Sequence, residues 1–351
     1  MSGDPSDTSS SWSAPRSGAS FGWESDDDGH AFDVRERDRY DDAGELGRGG
    51  MGEVRAAHDR RLGREVALKV LRVDSAAHEA RLAREAEITA RLEHPGIVPV
   101  YGAGRTEDGA LYYTMRLVRG QSLARAFGEA SGLDARLRTL RHLLDACEAV
   151  AYAASQGVVH RDLKPDNIMI GRFGETQVVD WGLAAVLRGP HARDGLGGNR
   201  VGTPQYASPQ QAGGTAPDPR DDVFSLGGIL FELLTGRPPR TGTRFVTDVA
   251  VPRVLELAPH APAELAAIAD RALALDPAIR YPDALALATD LEAWFDGRRV
   301  AAYDYSPREL LARLLRTWRA PLAVAALAGV ALLAIGVLAF LRTAAERDRA
   351  D

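Results

Sequence analysis

The segment VVHRDLKPDNIMI, residues 158–170, sets the carboxylates of Asp162 and Asp166, the cations of Arg161 and Lys164, one histidine and the Asn167 amide between short apolar runs. A core strand does not tolerate unpaired charges, and a solvated loop has no use for Val158, Val159, Ile168, Met169 and Ile170 at its ends. The stretch reads as a site held rigidly at the edge of a core. Upstream, LGRGGMGEV carries Gly47, Gly49 and Gly52 at the spacing G-x-G-x-x-G, and Gly50 adds further freedom. That spacing serves either a dinucleotide-binding fold or a hairpin that covers phosphates. A dinucleotide fold opens a helix at the third glycine. Here EVRAAHDRRLGREVALKV follows, which reads as two strands around a turn at RRLGR, so the glycines sit in a hairpin whose backbone can lie close over phosphates. A plain glycine hairpin would suffice if nothing downstream supplied a cation. Lys69, mid-strand in VALKV, supplies one, and Glu85 in the following helical stretch is its candidate partner. A buried Lys–Glu pair is a costly device if it serves structure alone.

Those groups need elements to hold them. Val66, Leu68 and Val70 alternate with Ala67, Lys69 and Leu71, which is the period of a strand. Residues 75–92 carry Ala77, Leu82, Ala86, Ile88 and Leu92 among charges, an amphipathic helix ended by HPG. LYYTMRLV, residues 111–118, is a further strand. Beyond about residue 120 the period turns helical, over 133–156, 221–235, 262–275 and 283–296. The fold class is α+β, a small sheet-rich lobe followed by a larger helical one. The first 39 residues are rich in Ser, Asp and Gly, with an acidic cluster at Asp26, Asp27 and Asp28. They bury too little to offset their ordering entropy and are expected to be a disordered tail.

A chain of 351 residues, 45% of them hydrophobic, is long enough for two lobes with tails. The net charge of −6 gives no general attraction to nucleic acid, and no nucleic-acid partner is expected. The single cysteine, Cys147, falls in an apolar helical pattern and is expected in the core; no disulfide can form within the chain, which suits a reducing compartment. The eight histidines show no metal-ligand spacing. The N-terminus has no apolar run of the secretory kind.

The sharpest compositional break is PLAVAALAGVALLAIGVLAFL, residues 321–341. After the proline about twenty residues pass without a charge, and as a helix they cover roughly 30 Å, the hydrocarbon thickness of a bilayer. A buried core helix is the alternative. This run, however, is apolar on every face and lies outside the globular pattern, so one transmembrane helix is expected. Arg308, Arg313, Arg316 and Arg319 before it and Arg342, Arg347 and Arg349 after it give only a weak orienting bias. Residues 298–320 are expected as a basic amphipathic segment near anionic headgroups, with a plain linker as the alternative. Residues 342–351 are a short tail.

The glycine loop, the strand lysine of VALK, HRDLKPDN and the DWG that follows at 180–182 together resemble the protein kinase signature set, in order and at similar spacing, over residues 40–295. LGRGGMGEV and GTPQYASP resemble most the eukaryotic-type Ser/Thr kinases of bacteria. The resemblance implies a bilobal kinase domain over 40–297, with an N-lobe at 40–118 and a C-lobe at 119–297, and ATP and Mg²⁺ as cofactors. It also implies roles. Asp162 accepts or orients the proton of the attacking hydroxyl, and Lys164 neutralises charge developing on the phosphoryl group. Asn167 and Asp180 hold the metal. Lys69 holds the α- and β-phosphates while Glu85 orients it. Gly47, Gly49, Gly50 and Gly52 cover the phosphates. Leu46, Val54, Ala67, Met115 and Met169 form an apolar adenine slot, with backbone groups near Arg116 and Val118 on the base edge. Thr203, in GTPQYASPQQ, is where Ser/Thr kinases keep a threonine near the catalytic aspartate, and Lys164 likewise resembles Ser/Thr rather than tyrosine kinases. Asp222 matches the helix residue that braces the catalytic loop. Together these groups are expected to converge on the terminal phosphoryl of a nucleotide.

Three departures stand out. Trp181 replaces the usual phenylalanine, a larger ring for an apolar slot. Gln210, in SPQ, replaces a glutamate that pairs with a late arginine, here Arg280, so a weaker brace is expected. Residues 183–202 hold no Ser, Thr or Tyr, although Arg161 precedes the catalytic aspartate as in kinases that order this loop by phosphorylation. Activity is therefore expected not to need phosphorylation there; Asp194, substrate or dimerisation would order the loop instead. ATP is cytosolic, so the expectation is a single-pass protein of the cell (inner) membrane with the kinase domain in the cytoplasm. Its substrates would be protein Ser/Thr hydroxyls, and confinement in the bilayer would favour a homodimer. The rival readings are a pseudokinase scaffold, a small-molecule phosphotransferase, and a receptor with an outer sensor. GTPQYASPQQAGG, a peptide platform in protein kinases, weighs against the second, and the ten residues after 341 leave no room for the third.

Overall fold

The computed structural model describes residues 39–48, 52–72, 75–187 and 202–347. In chain order the elements begin with β1 (Tyr40–Arg48), β2 (Gly52–Asp59), β3 (Arg64–Leu71), α1 (Ala76–Ala90), β4 (Val100–Arg105), β5 (Leu111–Arg116) and β6 (Gly120–Ser122). They continue with α2 (Leu123–Glu129), α3 (Leu133–Leu137), α4 (Leu140–Ser155), β7 (Val158–Val159), β8 (Ile168–Gly171), β9 (Thr176–Val178) and β10 (Ala185–Val186). The remaining helices are α5 (Pro209–Ala212), α6 (Pro219–Thr235), α7 (Val254–Leu257), α8 (Ala263–Ala272), α9 (Ala284–Phe295) and α10 (Pro307–Arg347). The described residues divide into two compact units, those within Met1–Gln121 and Met169–Ala184, and those within Ser122–Ile168 and Ala185–Asp351.

The first unit is built on an antiparallel sheet in the order β1-β2-β3-β5-β4. Alternation along β3 and β5 divides their side chains between two faces. Ala67, Leu71, Tyr113 and Met115 bury with Leu82 and Ala86 of α1, whereas Val66, Leu68 and Tyr112 bury with Ala57 in a second cluster. Each fully buried aliphatic side chain contributes about 1.5–3 kcal/mol. Register then fixes what lies abreast: Val54, Lys69 and Tyr113 form one row across β2, β3 and β5, and Ala56, Ala67 and Met115 the next. β9 is tied to the segment before β4 by Val178 N–H donating to Gly96 O at 2.8 Å and Val98 N–H to Val178 O at 3.3 Å.

The second unit is helical. α6 is buried along nearly its whole length, and its start is fixed by Asp218 as N-cap, Pro219 in the first turn and a reciprocal bond between Asp221 and the Asp218 N–H. It ends on Gly236 at φ 78°, the left-handed position that favours glycine. Cys147 is fully buried on α4. The helical pattern of 133–156 is interrupted between α3 and α4, because the Thr139 hydroxyl takes the Arg136 carbonyl at 2.7 Å while the Arg136 guanidinium reaches Leu233 O at 2.7 Å. α8 likewise stops at Ala272 and not at 275, since Arg280 draws the Ala274 and Leu275 carbonyls out to itself.

Residues 298–306 are not helical. Asp290 of α9 accepts the N–H groups of Ala301 and Ala302 at 2.7 and 3.0 Å, and Val300 is buried, so this stretch is fastened to the second unit. α10 opens at a reciprocal pair, Ser306 N–H to Glu309 and Glu309 N–H to the Ser306 hydroxyl. Arg313 then holds the first turns down, donating to Glu264 of α8 at 2.7 Å and to the carbonyls of Gly297 and Arg298. α10 continues through the apolar run, where the described side chains are those of 324–339 and Val324, Leu327, Val330, Leu332, Leu333 and Ile335 are exposed. Among the described residues, which within this run keep the side chains of 324–339, no helical stretch is by itself both long and apolar enough to cross a membrane.

Candidate active site

In the first unit the site is built around Lys69. Its ammonium lies 2.5 Å from Glu85 Oε1 and 2.8 Å from Asp180 Oδ1. Burial alone would lower the lysine's pKa; the carboxylates of Glu85 and Asp180 outweigh it and hold Lys69 above its ordinary value. Glu85 is brought there by α1, whose buried face includes Leu82, Glu85, Ala86, Ile88 and Thr89. Tyr113, the cross-strand neighbour of Lys69, donates its hydroxyl to Glu85 Oε1 at 2.7 Å. Burial and that carboxylate push the phenol well above its ordinary pKa, so it remains a donor. Asp180 follows β9 with φ 63°, a left-handed backbone rarely taken by a residue with a side chain. Trp181 is 1% exposed, so the larger ring is fully covered. Gly182 accepts a hydrogen bond from Arg81 Nε at 3.2 Å, and a Cβ on it would come within 2.9 Å of Glu85 Oε2.

The residues expected around a nucleotide also fall in this unit. Val54 packs against the cluster that contains Ala67 and Met115, so these three share one face. Leu46 and Gly47 lie on β1, Leu46 mostly exposed; Met169 and Val118 are half-buried and lie outside that cluster. Arg116 ends β5 with its side chain exposed, and its N–H is held by Pro99 O at 3.1 Å. Gly52 opens β2 opposite Leu71, where a Cβ would stand 2.2 Å from the Val70 carbonyl oxygen; only glycine allows that approach. Gly49 and Gly50 lie outside the described residues.

In the second unit the cluster is built around Asp162. Thr203 donates its hydroxyl to Asp162 Oδ1 at 2.7 Å, and Lys164 donates to Asp162 Oδ2 at 3.1 Å and to Thr203 Oγ1 at 3.2 Å. Asn167 Nδ2 donates to the Asp162 carbonyl at 2.8 Å. The backbone beneath is held by Asp222 of α6, 2% exposed, whose carboxylate accepts His160 N–H at 2.7 Å and Arg161 N–H at 2.9 Å. Burial pushes Asp222 up to about 7, while those two N–H groups pull the other way. Arg161 sits at φ 69°, and its carbonyl accepts from Gln211 Nε2 at 2.5 Å. Gly202, at φ 100°, lies against the same pair: a Cβ there would be 2.5 Å from Gln211 Nε2 and 2.6 Å from Arg161 O. Gln210 accepts from Arg280 Nη2 at 2.7 Å and donates to Leu275 O at 3.0 Å, so the amide bridges both. Asp194 and most of 183–202 lie outside the described residues.

Asn167 and Asp180, the expected metal ligands, fall in the second and the first unit respectively. Among the described residues no group of three or more His, Cys, Asp or Glu could hold a metal ion by itself. Asn167 nevertheless engages its amide nitrogen with the Asp162 carbonyl, which leaves its oxygen as the acceptor. A carboxylate and an amide oxygen are each the hard donor type that Mg²⁺ takes, and that ion needs few protein ligands.

Two contributors escape a reading of the sequence. Tyr113 looks like one more strand aromatic, and only the register of β5 against β3 sets it beside Lys69. Gln211, the last residue of GTPQYASPQQ, carries no charge and no assigned role there, yet it holds the peptide before Asp162.

Residues 40–280 match the protein kinase domain family. A probable serine/threonine-protein kinase of Streptomyces coelicolor is 40% identical over 278 residues, covering 75% of this chain and 41% of that protein. The serine/threonine-protein kinase PknB of Mycolicibacterium smegmatis is 40% identical over 274 residues, covering 74% of this chain and 44% of PknB. Among solved structures, the PknI kinase domain of Mycobacterium tuberculosis superposes with a TM-score of 0.58 at 25% identity, over 73% of this chain and 96% of that domain. The chain thus spans less than half the length of these two curated relatives. With the lysine pair in one unit, the braced aspartate in the other, and a family match across most of its length, this chain belongs to the protein kinase family, and these two relatives are bacterial serine/threonine kinases by name.

Proposed function

We propose that this chain is a Ser/Thr protein kinase that transfers the terminal phosphoryl group of ATP to protein hydroxyls and is anchored in a membrane by α10. The observation that carries the reading is Asp162, whose two carboxylate oxygens are engaged separately by Thr203 and Lys164 on a backbone braced by Asp222. A general base needs that fixed orientation more than a structural acid does. A pseudokinase is not favoured, because Lys69, Asp162, Asn167 and Asp180 are all in place.

In this reaction Asp162 takes the proton of a substrate hydroxyl. The hydroxyl oxygen forms a bond to the γ-phosphorus as the bond to the bridging oxygen breaks, and ADP leaves with the electron pair. Lys164 neutralises charge on the group in transit. Lys69, fixed by Asp180 and by a Glu85 that Tyr113 holds in turn, binds the α- and β-phosphates. Asn167 and Asp180 would hold Mg²⁺, which when bound neutralises the phosphate oxygens.

The anchor is supported by the apolar side chains of α10 over 324–338, which are exposed among the described residues, and by a helix that runs uninterrupted through 321–341. ATP chemistry then sets the kinase units in the cytoplasm at the cell (inner) membrane. Confinement there favours phosphorylation between neighbouring copies, hence a homodimer.

Labelled ATP, Mg²⁺ and a generic protein substrate, given to the full-length wild type and to Asp162→Ala, test the activity. Label on serine and threonine that falls at least a hundredfold in the variant is expected; undiminished transfer refutes the role of Asp162, and label on tyrosine refutes the substrate class. Extraction of expressing-cell membranes at alkaline pH tests the anchor, since release of the full chain into the soluble fraction would contradict it.

A further inference from the structure

Arg161 is gripped on both sides. Asp222 takes the N–H groups of His160 and Arg161, which lie before the Arg161 Cα, and leaves the next peptide plane to other partners. That plane carries Arg161 O, to which Gln211 Nε2 donates at 2.5 Å, and Asp162 N–H, which makes a longer bond of 3.2 Å to His160 Nδ1. A residue at φ 69° keeps its strained backbone only where its peptide groups are held. Gln211 is 2% exposed and sits on α5, where the Ser208 hydroxyl oxygen accepts its N–H at 3.0 Å. Ser208 in turn donates to Asp221 of α6, and Ser225 of α6 donates to Tyr206 O at 3.0 Å. The backbone of 206–211 is thus fastened to α6, and the Gln211 side chain crosses from it to the peptide before Asp162. The chain also passes over that bond. A Cβ on Gly202 would stand 2.5 Å from Gln211 Nε2, 2.6 Å from Arg161 O and 3.7 Å from Asp162 Oδ1. The next residue, Thr203, donates to that same Oδ1 at 2.7 Å.

We infer that Gln211 is a positioning residue for phosphoryl transfer: its amide sets the plane of the Arg161–Asp162 peptide and the path of Gly202 and Thr203 together. The proposed base and the threonine that engages it then keep one registration, and the segment 203–211 moves with the loop that carries Asp162. A misplacement of the base by about 1 Å is enough to slow a chemical step a hundredfold. Gln211 acts on that step and not on nucleotide affinity, because it touches neither Lys69 nor the face shared by Val54, Ala67 and Met115, all of which belong to the first unit. The inference rests on the kinase reading of Asp162 and adds a residue to which that reading gives no role.

Two variants of the full chain test this. Gln211→Leu removes both polar atoms, and Gln211→Glu keeps the shape while its ionised carboxylate cannot donate to Arg161 O. Single-turnover transfer from labelled ATP with Mg²⁺ to a generic protein substrate, followed by rapid quench, should slow at least tenfold in both. Their Kd for ATP should move less than threefold. Hydrogen exchange read by mass spectrometry should quicken at least tenfold at the amides of 160–163 and stay within twofold over 226–234 of α6. An unchanged transfer rate, a fall in ATP affinity as large as the fall in rate, or unchanged exchange at 160–163 would each overturn the assignment. Should Gln211→Leu not fold, Gln211→Glu, which preserves the volume, carries the test. A wild type that transfers no label refutes the kinase reading instead, and the exchange at 160–163 still decides whether Gln211 fixes this peptide.

Discussion

Asp222 offers the sharpest test of how the second unit holds the peptide that leads into Asp162. Its carboxylate is buried, accepts two backbone N–H groups, and is pushed from 3.8 up to about 7 by loss of solvent. An acid with a raised pKa favours folding most where it keeps its proton. Below pH 3.8 both folded and unfolded chains hold that proton; between 3.8 and 7 the unfolded chain releases it and the folded chain does not. Stability is therefore fully present below about 4, falls as pH rises through this window, and is flat above about 7. Seven less 3.8 is about three pH units, which at ~1.4 kcal/mol each gives a change on the order of 4 kcal/mol.

Asp222→Asn removes the ionisation and keeps the shape. Its single amide oxygen can accept only one of the two N–H groups, and the other is left buried against an NH₂, a loss of about 1–3 kcal/mol that does not depend on pH. The two effects oppose each other. At pH 8 the variant should match or exceed the wild type in stability; at pH 5 it should be the weaker, the difference between them moving by about 2–3 kcal/mol across that range. Urea unfolding of both full-length proteins at pH 5, 6, 7 and 8, followed by tryptophan fluorescence, reads this directly. Phosphoryl transfer by the variant should still fall at least tenfold at pH 8, because the peptide before Asp162 has lost one of its two tethers. Parallel stability curves for the two proteins, or full activity in the variant, would refute the reasoning.

Tyr113→Phe removes one donor from Glu85 at a cost of about 1–3 kcal/mol and should weaken nucleotide binding several-fold by calorimetry, with an unchanged affinity counting against the role given to Tyr113. Gln210→Glu sets a carboxylate against Arg280, whose guanidinium burial holds down to about 10; the charge-assisted bond should outweigh the lost contact to Leu275 O and raise the melting temperature by about 2–4 °C, and a lower one would contradict this. Glu264→Gln loosens Arg313 and Tyr305 where both are partly solvated, so global stability should move by less than ~1 kcal/mol while protease cutting within 298–316 accelerates; an unchanged cutting rate would show that the start of α10 is held by something else.

The groups proposed for catalysis carry more signal in the sequence than the contacts that hold them. Lys69 and Glu85 could be paired because a charge mid-strand demands a partner and the next helix offered one. Tyr113 could not, because its place depends on the register of two strands 44 residues apart, Lys69 against Tyr113, and register is a tertiary property. The same holds for the interruption at Thr139, where a hydroxyl competes for a helix carbonyl, and for 298–306, which Asp290 fastens down from another helix. Periodicity reports which face is buried. It does not report a side chain that takes a backbone group from elsewhere in the chain.

Among the described residues two without glycine's freedom sit at positive φ, Arg161 and Asp180, and each adjoins or is a group on which the proposed chemistry depends. A left-handed backbone with a side chain costs roughly 1–2 kcal/mol, and it persists only where the surroundings over-determine it. At Arg161 the over-determination is visible: its N–H is held by Asp222 and its carbonyl by Gln211, so neither side of the residue can relax alone. That arrangement turns the next residue, Asp162, toward Thr203 and Lys164. The brace is itself destabilising as pH rises toward 7, since burial makes the ionised Asp222 carboxylate costly. A carboxylate kept at such a cost, to hold a peptide bent against its preference, makes sense only if the orientation of Asp162 matters more to the protein than the free energy lost in fixing it.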